Sequence, residues 1–268
     1  MNIVVCIKQV PDEPAIRIDW ERMTLIREGV KSIINPLDGV ALEAGLELRE
    51  RAGGRVIVLS MGPPQSEESL REALAAGADR AILLTDPAFA GSDTLATSHV
   101  LARAISRLTP FPDLVLCGMQ TIDSDTGHVG PQIAEELDLP QVCGVNEIHL
   151  EGDSLVVERL SDGFLDTVQV TPPALMSVNR ELCPVRSLSL GALERAFSQG
   201  DITHWGREAL DLSEEEVGFK GSATQVRRLL PPAPRREGEL VSGSPHLLVD
   251  CLTRKLEELS ILDEEDGQ

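Results

Sequence analysis

The sequence contains no tyrosine, and only 3% of its 268 residues are aromatic. Base-stacking platforms for single-stranded nucleic acid are built from such rings, so that class of function has little to stand on. Basic residues are scarce as well: 24 Lys and Arg against 44 Asp and Glu give a formal charge of −20. A surface that negative repels phosphate backbones and anionic lipid, so neither nucleic acid nor a membrane surface is expected as a partner. No apolar run reaches the ~18 residues of a membrane span. The five cysteines (Cys6, Cys117, Cys143, Cys183, Cys251) are far apart, with no C-x-x-C, and the five histidines lack ligand spacing. No disulfide framework and no metal site is expected. Neither G-x-G-x-x-G nor the P-loop pattern occurs, which weakens the standard dinucleotide and nucleoside-triphosphatase readings. The opening MNIVVCIKQV has no charged start or cleavage site and reads as a first strand, and a cytoplasmic protein is expected.

What is present alternates. Asn2–Ile7, Arg55–Ser60, Ala81–Thr85 and Asp113–Gly118 are short continuous apolar runs, the mark of strands buried on both faces. Helical stretches lie between them: one capped at Asn35-Pro36 and ending near Arg51, one capped by Ser66, one over about 93–108 and one over about 126–137. Such alternation predicts an α/β fold with a doubly wound, mostly parallel sheet. Residues Pro11–Ile33 interrupt the first unit as a hairpin-like excursion. Over 147–179 the pattern changes to an antiparallel meander, its turns at Glu151–Ser154 and Ser161–Gly163. A nucleotide-binding domain is thus expected over 1–200, and an arm with a tail helix over 201–268. Residues 201–243, with Pro231-Pro232-Ala233-Pro234, read either as a disordered linker or as an arm lying on a partner. Ser244-Pro245 then opens a helix striped by Leu248, Leu252, Leu256 and Leu259.

In a doubly wound sheet, ligands bind beyond the carboxyl ends of the strands. Three segments fall there: Cys6–Gln9, Ser60–Pro64 and Gly118–Gly130. The last enters a helix through small and hydroxylic residues, which offers unpaired backbone N–H groups to a phosphate. Asp123, Ser124, Asp125 and Thr126 could equally do no more than cap that helix and shape its turn. Cys6 and Cys117 sit inside strands as packing residues. His128 lacks the company of a nucleophile and a carboxylate, so no catalytic residue is assigned. Arg17, Arg22 and Arg27 read as solvated surface.

These segments together resemble one family. VVCIKQVPD at the start, Asn35-Pro36-Leu37-Asp38, Ser60–Pro64 followed by LREALAAGADRAILL (70–84), and DLVLCGMQTIDSDTGHVGPQIAEELDLPQV (113–142) closely resemble the beta subunit of electron transfer flavoprotein. The resemblance implies a heterodimer whose alpha subunit carries an FAD, with an adenine nucleotide in the beta cleft and the C-terminal arm wrapped on the partner. It places nucleotide contacts at Cys6, at Asn35, Pro36, Leu37 and Asp38, at Met61, and along Gly118, Met119, Gln120, Thr121, Ile122, Asp123, Ser124, Asp125, Thr126, Gly127, His128 and Val129. The phosphates would be served by backbone N–H groups and the Thr126 hydroxyl. Asp123 and Asp125 would bind ribose hydroxyls or backbone donors.

The family divides by what fills the beta site. Simple carriers hold AMP there as a structural nucleotide. Bifurcating members hold a second FAD that accepts hydride from NADH and sends its electrons along two routes, one towards a low-potential carrier such as ferredoxin. The chain resembles the bifurcating branch in Met61–Gln65, in Ala90–Thr94, in Asp125-Thr126 with Val129-Gly130-Pro131, and in Gly218–Ser222. FAD in the beta site is the expectation. AMP, or a non-redox adenine-nucleotide scaffold, is the alternative. The resemblance also implies docking to an acyl-CoA or other dehydrogenase, with Leu182 and Arg186 as docking residues. Two departures stand out: the family's Asn-Glu-Pro-Arg-Tyr is replaced around Cys183, Pro184, Val185 and Ser187, and Ser124 stands where bifurcating relatives commonly have glycine.

Overall fold

The computed structural model describes residues 1–12, 31–227, 238 and 240–261, and the backbone of 17–19 and 24–26. The chain divides into two compact units, Met1–Arg228 and Leu229–Gln268.

The first unit opens with β1 (Asn2–Cys6), buried over its last four residues. The excursion expected after it consists of two antiparallel pairs, β2 (Gln9–Pro11) with β5 (Ser32–Ile34) and β3 (Arg17–Asp19) with β4 (Thr24–Ile26). The side chains of Arg17, Arg22 and Arg27 lie outside the described residues. Next come α1 (Pro36–Ala52), β6 (Arg55–Met61), α2 (Glu67–Ala76), β7 (Arg80–Leu84), α3 (Thr94–Ser106), β8 (Leu114–Gly118) and α4 (Val129–Glu136). Pro36 opens α1, where a missing N–H costs nothing. Asp93 caps α3, its Oδ1 accepting the Ala96 N–H at 2.9 Å. Ser66, expected as a cap, makes no capping bond because it already lies in the 3-10 turn Pro64–Ser66. α4 begins three residues later than expected. Asp125 (φ 54°) and Gly127 (φ 63°) are in the left-handed region, so residues 126–128 cannot join the helix.

The meander is β9 (Gln141–Glu151), β10 (Ser154–Ser161) and β11 (Phe164–Val170). β12 (Ala174–Val178) is not part of it: all five residues are buried, and it pairs in parallel with both β8 and β9. α5 (Leu190–Gln199), which the sequence reading did not anticipate, is capped by Ser189 and closed by Arg71, which donates to the carbonyls of Ala196 and Gly200 at 3.1 Å each.

An arm beginning at residue 201 is not observed. β13 (Ile202–Trp205) adds in parallel to β7, and Leu210, Leu212 and Val217 are buried in the same core, followed by the short α6 (Gly218–Gly221). The segment looked weakly periodic because it contributes single anchors rather than a helical stripe. The sheet runs β11-β10-β9-β12-β8-β1-β6-β7-β13. One core layer, with α1 and α2, includes Val5, Leu46, Leu70 and Met176; the other, with α3 and α4, includes Val4, Leu59, Ile105 and Ile133.

The second unit contains α7 (Pro245–Glu258), capped by Ser244 as expected. Leu248 and Leu252 are exposed on it, as is Leu259 just past its end. Pro231–Pro234 lie outside the described residues. No helix among the described residues is long and apolar enough to cross a membrane.

Candidate functional site

α1 leads from β1 to β6 on one face of the sheet, and α4 leads from β8 towards β9 on the other. The chain therefore leaves the neighbouring strands β1 and β8 in opposite directions. Such a reversal opens a crevice beyond their carboxyl ends. Cys6–Gln9, Ser60–Pro64 and Gly118–Gly130 all begin at that rim.

The first turn of α1 ties the rim together. Asp38 is 4% exposed and accepts the N–H of Lys8 (2.8 Å) on Oδ2 and that of Gly118 (3.1 Å) on Oδ1, joining the ends of β1 and β8. Burial pushes its carboxyl up to about 7, against the hydrogen bonds from Asn35, Lys8 and Gly118 and the charge of Lys8. The fit requires a glycine at 118, since a Cβ there would lie 2.5 Å from Asp38 Oδ1 and 2.8 Å from the Leu37 carbonyl carbon. Asn35, fully buried, is not the expected side-chain cap. Its Nδ2 donates to Gln120 O (2.9 Å) and its Oδ1 accepts Ile122 N–H (3.1 Å), so it holds the loop across the crevice instead of its own helix.

The loop after β8 is braced along its length. Met119 N–H donates to Val178 O at 3.0 Å, and Asp125 N–H to Thr121 O at 2.8 Å. Asp123, its side chain 6% exposed, receives Lys8 Nζ at 2.8 Å on Oδ1 and 2.7 Å on Oδ2. Burial opposes the Asp123 charge, but the bonds and charge of Lys8 hold the carboxyl below the usual range. The Ser124 hydroxyl is used inside the loop, on Thr121 Oγ1 (2.8 Å) and Asp123 Oδ1 (3.3 Å). Beyond it, the N–H groups of Thr126, Gly127, His128, Val129 and Gly130 donate to no acceptor among the described residues. Unused N–H groups at the positive end of a helix are chemically suited to an anion.

The remaining expected residues fall as follows. Cys6 is buried at the end of β1, and burial with the nearby Asp38 charge pushes its thiol up to about 12; burial raises the Cys117 thiol well above its usual range too. Neither is a nucleophile. Met61 ends β6 half-buried, Pro36 and Leu37 are half-buried in the first turn of α1, and Met119 and Gln120 stand on the loop, Met119 40% exposed. His128 is exposed and makes no capping bond. Lys8, on both oxygens of Asp123, is the rim side chain that the residue-by-residue reading passed over, although its segment had been placed there.

Two further segments, far apart in sequence, form one unit. Asp93 Oδ2 accepts the Thr224 N–H (2.8 Å) and hydroxyl (2.9 Å), and Asp93 N–H donates to Ser222 Oγ (2.8 Å). Gly218 N–H donates to Ser92 Oγ (3.2 Å), and Phe219 N–H to Ala90 O (3.2 Å). Gly218 has φ 60°, and a Cβ there would lie 2.0 Å from Ala88 O. Ala90–Thr94 and Gly218–Ser222 are thus joined at the N-terminus of α3.

Leu182 is half-buried against the core. Arg186 is committed internally: its backbone N–H and guanidinium bond Glu43, the closest contact 2.7 Å, and Nη1 reaches Glu50 at 3.1 Å. The exposed apolar side chains of this stretch are Val185, Phe197 and above all Leu190, 85% exposed.

A family model described as the electron transfer flavoprotein domain matches residues 22–208. The chain belongs to the electron transfer flavoprotein family. It is 46% identical over 263 residues to the electron transfer flavoprotein subunit beta of Thermoanaerobacterium thermosaccharolyticum, covering 98% of this chain and all of that one. It is 44% identical to the caffeyl-CoA reductase-Etf complex subunit CarD of Acetobacterium woodii, with 98% and 100% coverage. Protein FixA of Azorhizobium caulinodans is 45% identical over 246 residues, covering 88% of this chain and 86% of that one. The sequence reading of the family, and of its α/β fold, is borne out. An electron-transfer flavoprotein role follows from membership.

Proposed function

We propose that this chain is the beta subunit of a heterodimeric electron transfer flavoprotein, that FAD occupies the crevice between β1 and β8, and that the assembled dimer bifurcates electrons from NADH. The observation that carries the nucleotide reading is the row of N–H groups from Thr126 to Gly130 that no acceptor among the described residues takes, on a loop whose earlier residues are held by Asn35, Asp38 and Lys8. These residues fit a phosphate-bearing adenine cofactor: the amides would hold phosphate, the side of Cys6 and Met61 would face the base or ribose, and the glycine at 118 lets α1 seal one side against water. FAD, when bound, supplies reversible hydride and electron chemistry; the chain supplies position. Support for FAD over AMP comes from the joined pair Ala90–Thr94 and Gly218–Ser222. Both segments carry the resemblance to the bifurcating branch, and the structure makes them one built element. Ser124, the residue at odds with that branch, directs its hydroxyl into its own loop.

An obligate partner, the alpha subunit with its own FAD, is supported by two apolar surfaces. The β10–β11 hairpin exposes Leu160 (56%), Phe164 (72%) and Leu165 (62%), and α7 exposes Leu248 and Leu252. Such surfaces are uncommon on a chain that works alone. A dehydrogenase would dock on the exposed stretch around Val185 and Leu190, with Arg186 anchoring it, and a low-potential carrier such as ferredoxin would accept the second electron. Five free cysteines agree with a reducing cytoplasmic setting. The test is to co-express the chain with its alpha partner, denature the purified dimer, and quantify FAD and AMP. Two FAD and no AMP per dimer supports bifurcation and leads to NADH titration. One of each makes the chain a simple carrier, and absence of any dimer refutes the proposal.

A further inference from the structure

We infer that Lys8 and Asp123 form a positioning pair that locks the loop after β8 in its ligand-ready shape, and so sets the affinity of the crevice for nucleotide. The inference rests on the nucleotide reading given above. Both partners are themselves fixed. The Lys8 backbone N–H is held by Asp38 at 2.8 Å, which places the lysine at the rim. Asp123 is braced by Ser124 Oγ at 3.3 Å, and the residues before it are held by Asn35 at Gln120 O and Ile122 N–H. Lys8 thus extends a series of anchors at 120, 122 and 123, immediately before the free amides begin at Thr126. The lysine is 40% exposed, yet it is bidentate on a carboxylate that is 6% exposed. As an ion pair the two add no net charge to an anion site, so their contribution is geometric.

The sign of one substitution separates this role from plain electrostatics. Asp123→Ala removes a negative charge from the crevice and frees Lys8, so Coulomb attraction alone predicts tighter binding of an anionic nucleotide. A positioning pair predicts weaker binding, by about tenfold, the size expected for one charge-assisted hydrogen bond. Lys8→Gln weakens binding to a similar extent, and Lys8→Gln/Asp123→Ala no further than either alone, because the pair acts as a unit. In Lys8→Gln, protonating the stranded Asp123 carboxylate cannot restore the lost anchor, so the ratio of variant to wild-type affinity stays low as pH falls; taking the ratio cancels titration of the ligand itself. The experiment titrates FAD and AMP into the nucleotide-stripped heterodimer between pH 5 and 8, with amide hydrogen exchange over 119–126. Faster loop exchange and non-additive losses are expected, with Asp123→Asn as the substitute if the alanine variant fails to assemble. Tighter binding by Asp123→Ala, additive losses, or weakened binding with unchanged loop exchange overturns the positioning role and leaves the nucleotide reading standing. A wild-type dimer that binds neither FAD nor AMP overturns both.

Discussion

Asp38→Asn tests whether the crevice is closed by a buried charge. In the folded chain the carboxyl titrates at about 7, against 3.8 for the free group. The native state therefore keeps its proton to higher pH than the unfolded state does. This group's contribution to stability is greatest below pH 4, falls as pH rises, and is flat above about 7. The fall is about 1.4 kcal/mol per pH unit between pH 5 and 6, slackens towards the midpoint, and comes to about 2 kcal/mol between pH 5 and 7 and about 3 kcal/mol between pH 5 and 8. Asparagine cannot titrate, so it removes that slope. It also presents Nδ2 to one of the two backbone donors, Lys8 N–H or Gly118 N–H, a fixed cost of about 1–3 kcal/mol that does not depend on pH. The difference in unfolding free energy between variant and wild type should thus move in favour of the variant by about 3 kcal/mol between pH 5 and pH 8, whatever the fixed cost. Denaturant unfolding at both pH values and at one protein concentration measures it, and a carbon-13 label on the Asp38 carboxyl reads the midpoint directly. Parallel pH profiles for the two proteins, or a midpoint near 4, would refute the reasoning.

Two other substitutions probe the scaffold. Gly118→Ala places a methyl 2.5 Å from Asp38 Oδ1 and 2.8 Å from backbone, and should cost about 1–3 kcal/mol of stability together with nucleotide affinity; a variant with wild-type melting and binding would show that α1 does not need this approach. Arg186→Ala leaves Glu43, 5% exposed, without its cation. Because the guanidinium is 31% exposed, the loss should fall below the about 3–5 kcal/mol of a fully buried pair, at roughly 2 kcal/mol, with faster hydrogen exchange over 180–187; unchanged exchange there would show that the pair does not anchor the segment.

The alternation of strands and helices was legible because parallel strands buried on both faces must be written as continuous apolar runs. β1, β6, β7 and β8 came within a residue or two of their expected bounds for that reason. β12 and β13 were not legible. The place of each is fixed by neighbours brought from elsewhere: β8 and β9 for one, β7 for the other. α5 was missed for a related reason. Apart from Ala196 its residues are not buried, and it is held at its carboxyl end by Arg71 of α2. The reading of 201–243 as a linker or an arm meets the same limit in its first part, since Leu210, Leu212 and Val217 are single anchors whose value depends on a core they do not build.

At the site, residue identities were legible while their roles were not. Asn35 looks like a helix cap in any one-dimensional reading, and it becomes a loop anchor only because β8 ends opposite it. Asp123 looks out of place beside a phosphate until Lys8, 115 positions earlier, is seen on both its oxygens. Asp38 would be one more first-turn acid on a helix, yet its two oxygens accept the N–H groups at the ends of β1 and β8. In each case the polar side chain satisfies backbone or charge across the reversal of winding. A crevice between diverging strands leaves such groups unpaired, and a buried unpaired donor or acceptor costs about as much as a hydrogen bond contributes. The chain meets that requirement with three side chains that leave the amides of Thr126 to Gly130 unused. Satisfying the rim while sparing one row of donors is what turns a structural necessity of the doubly wound sheet into a place where an anion can bind.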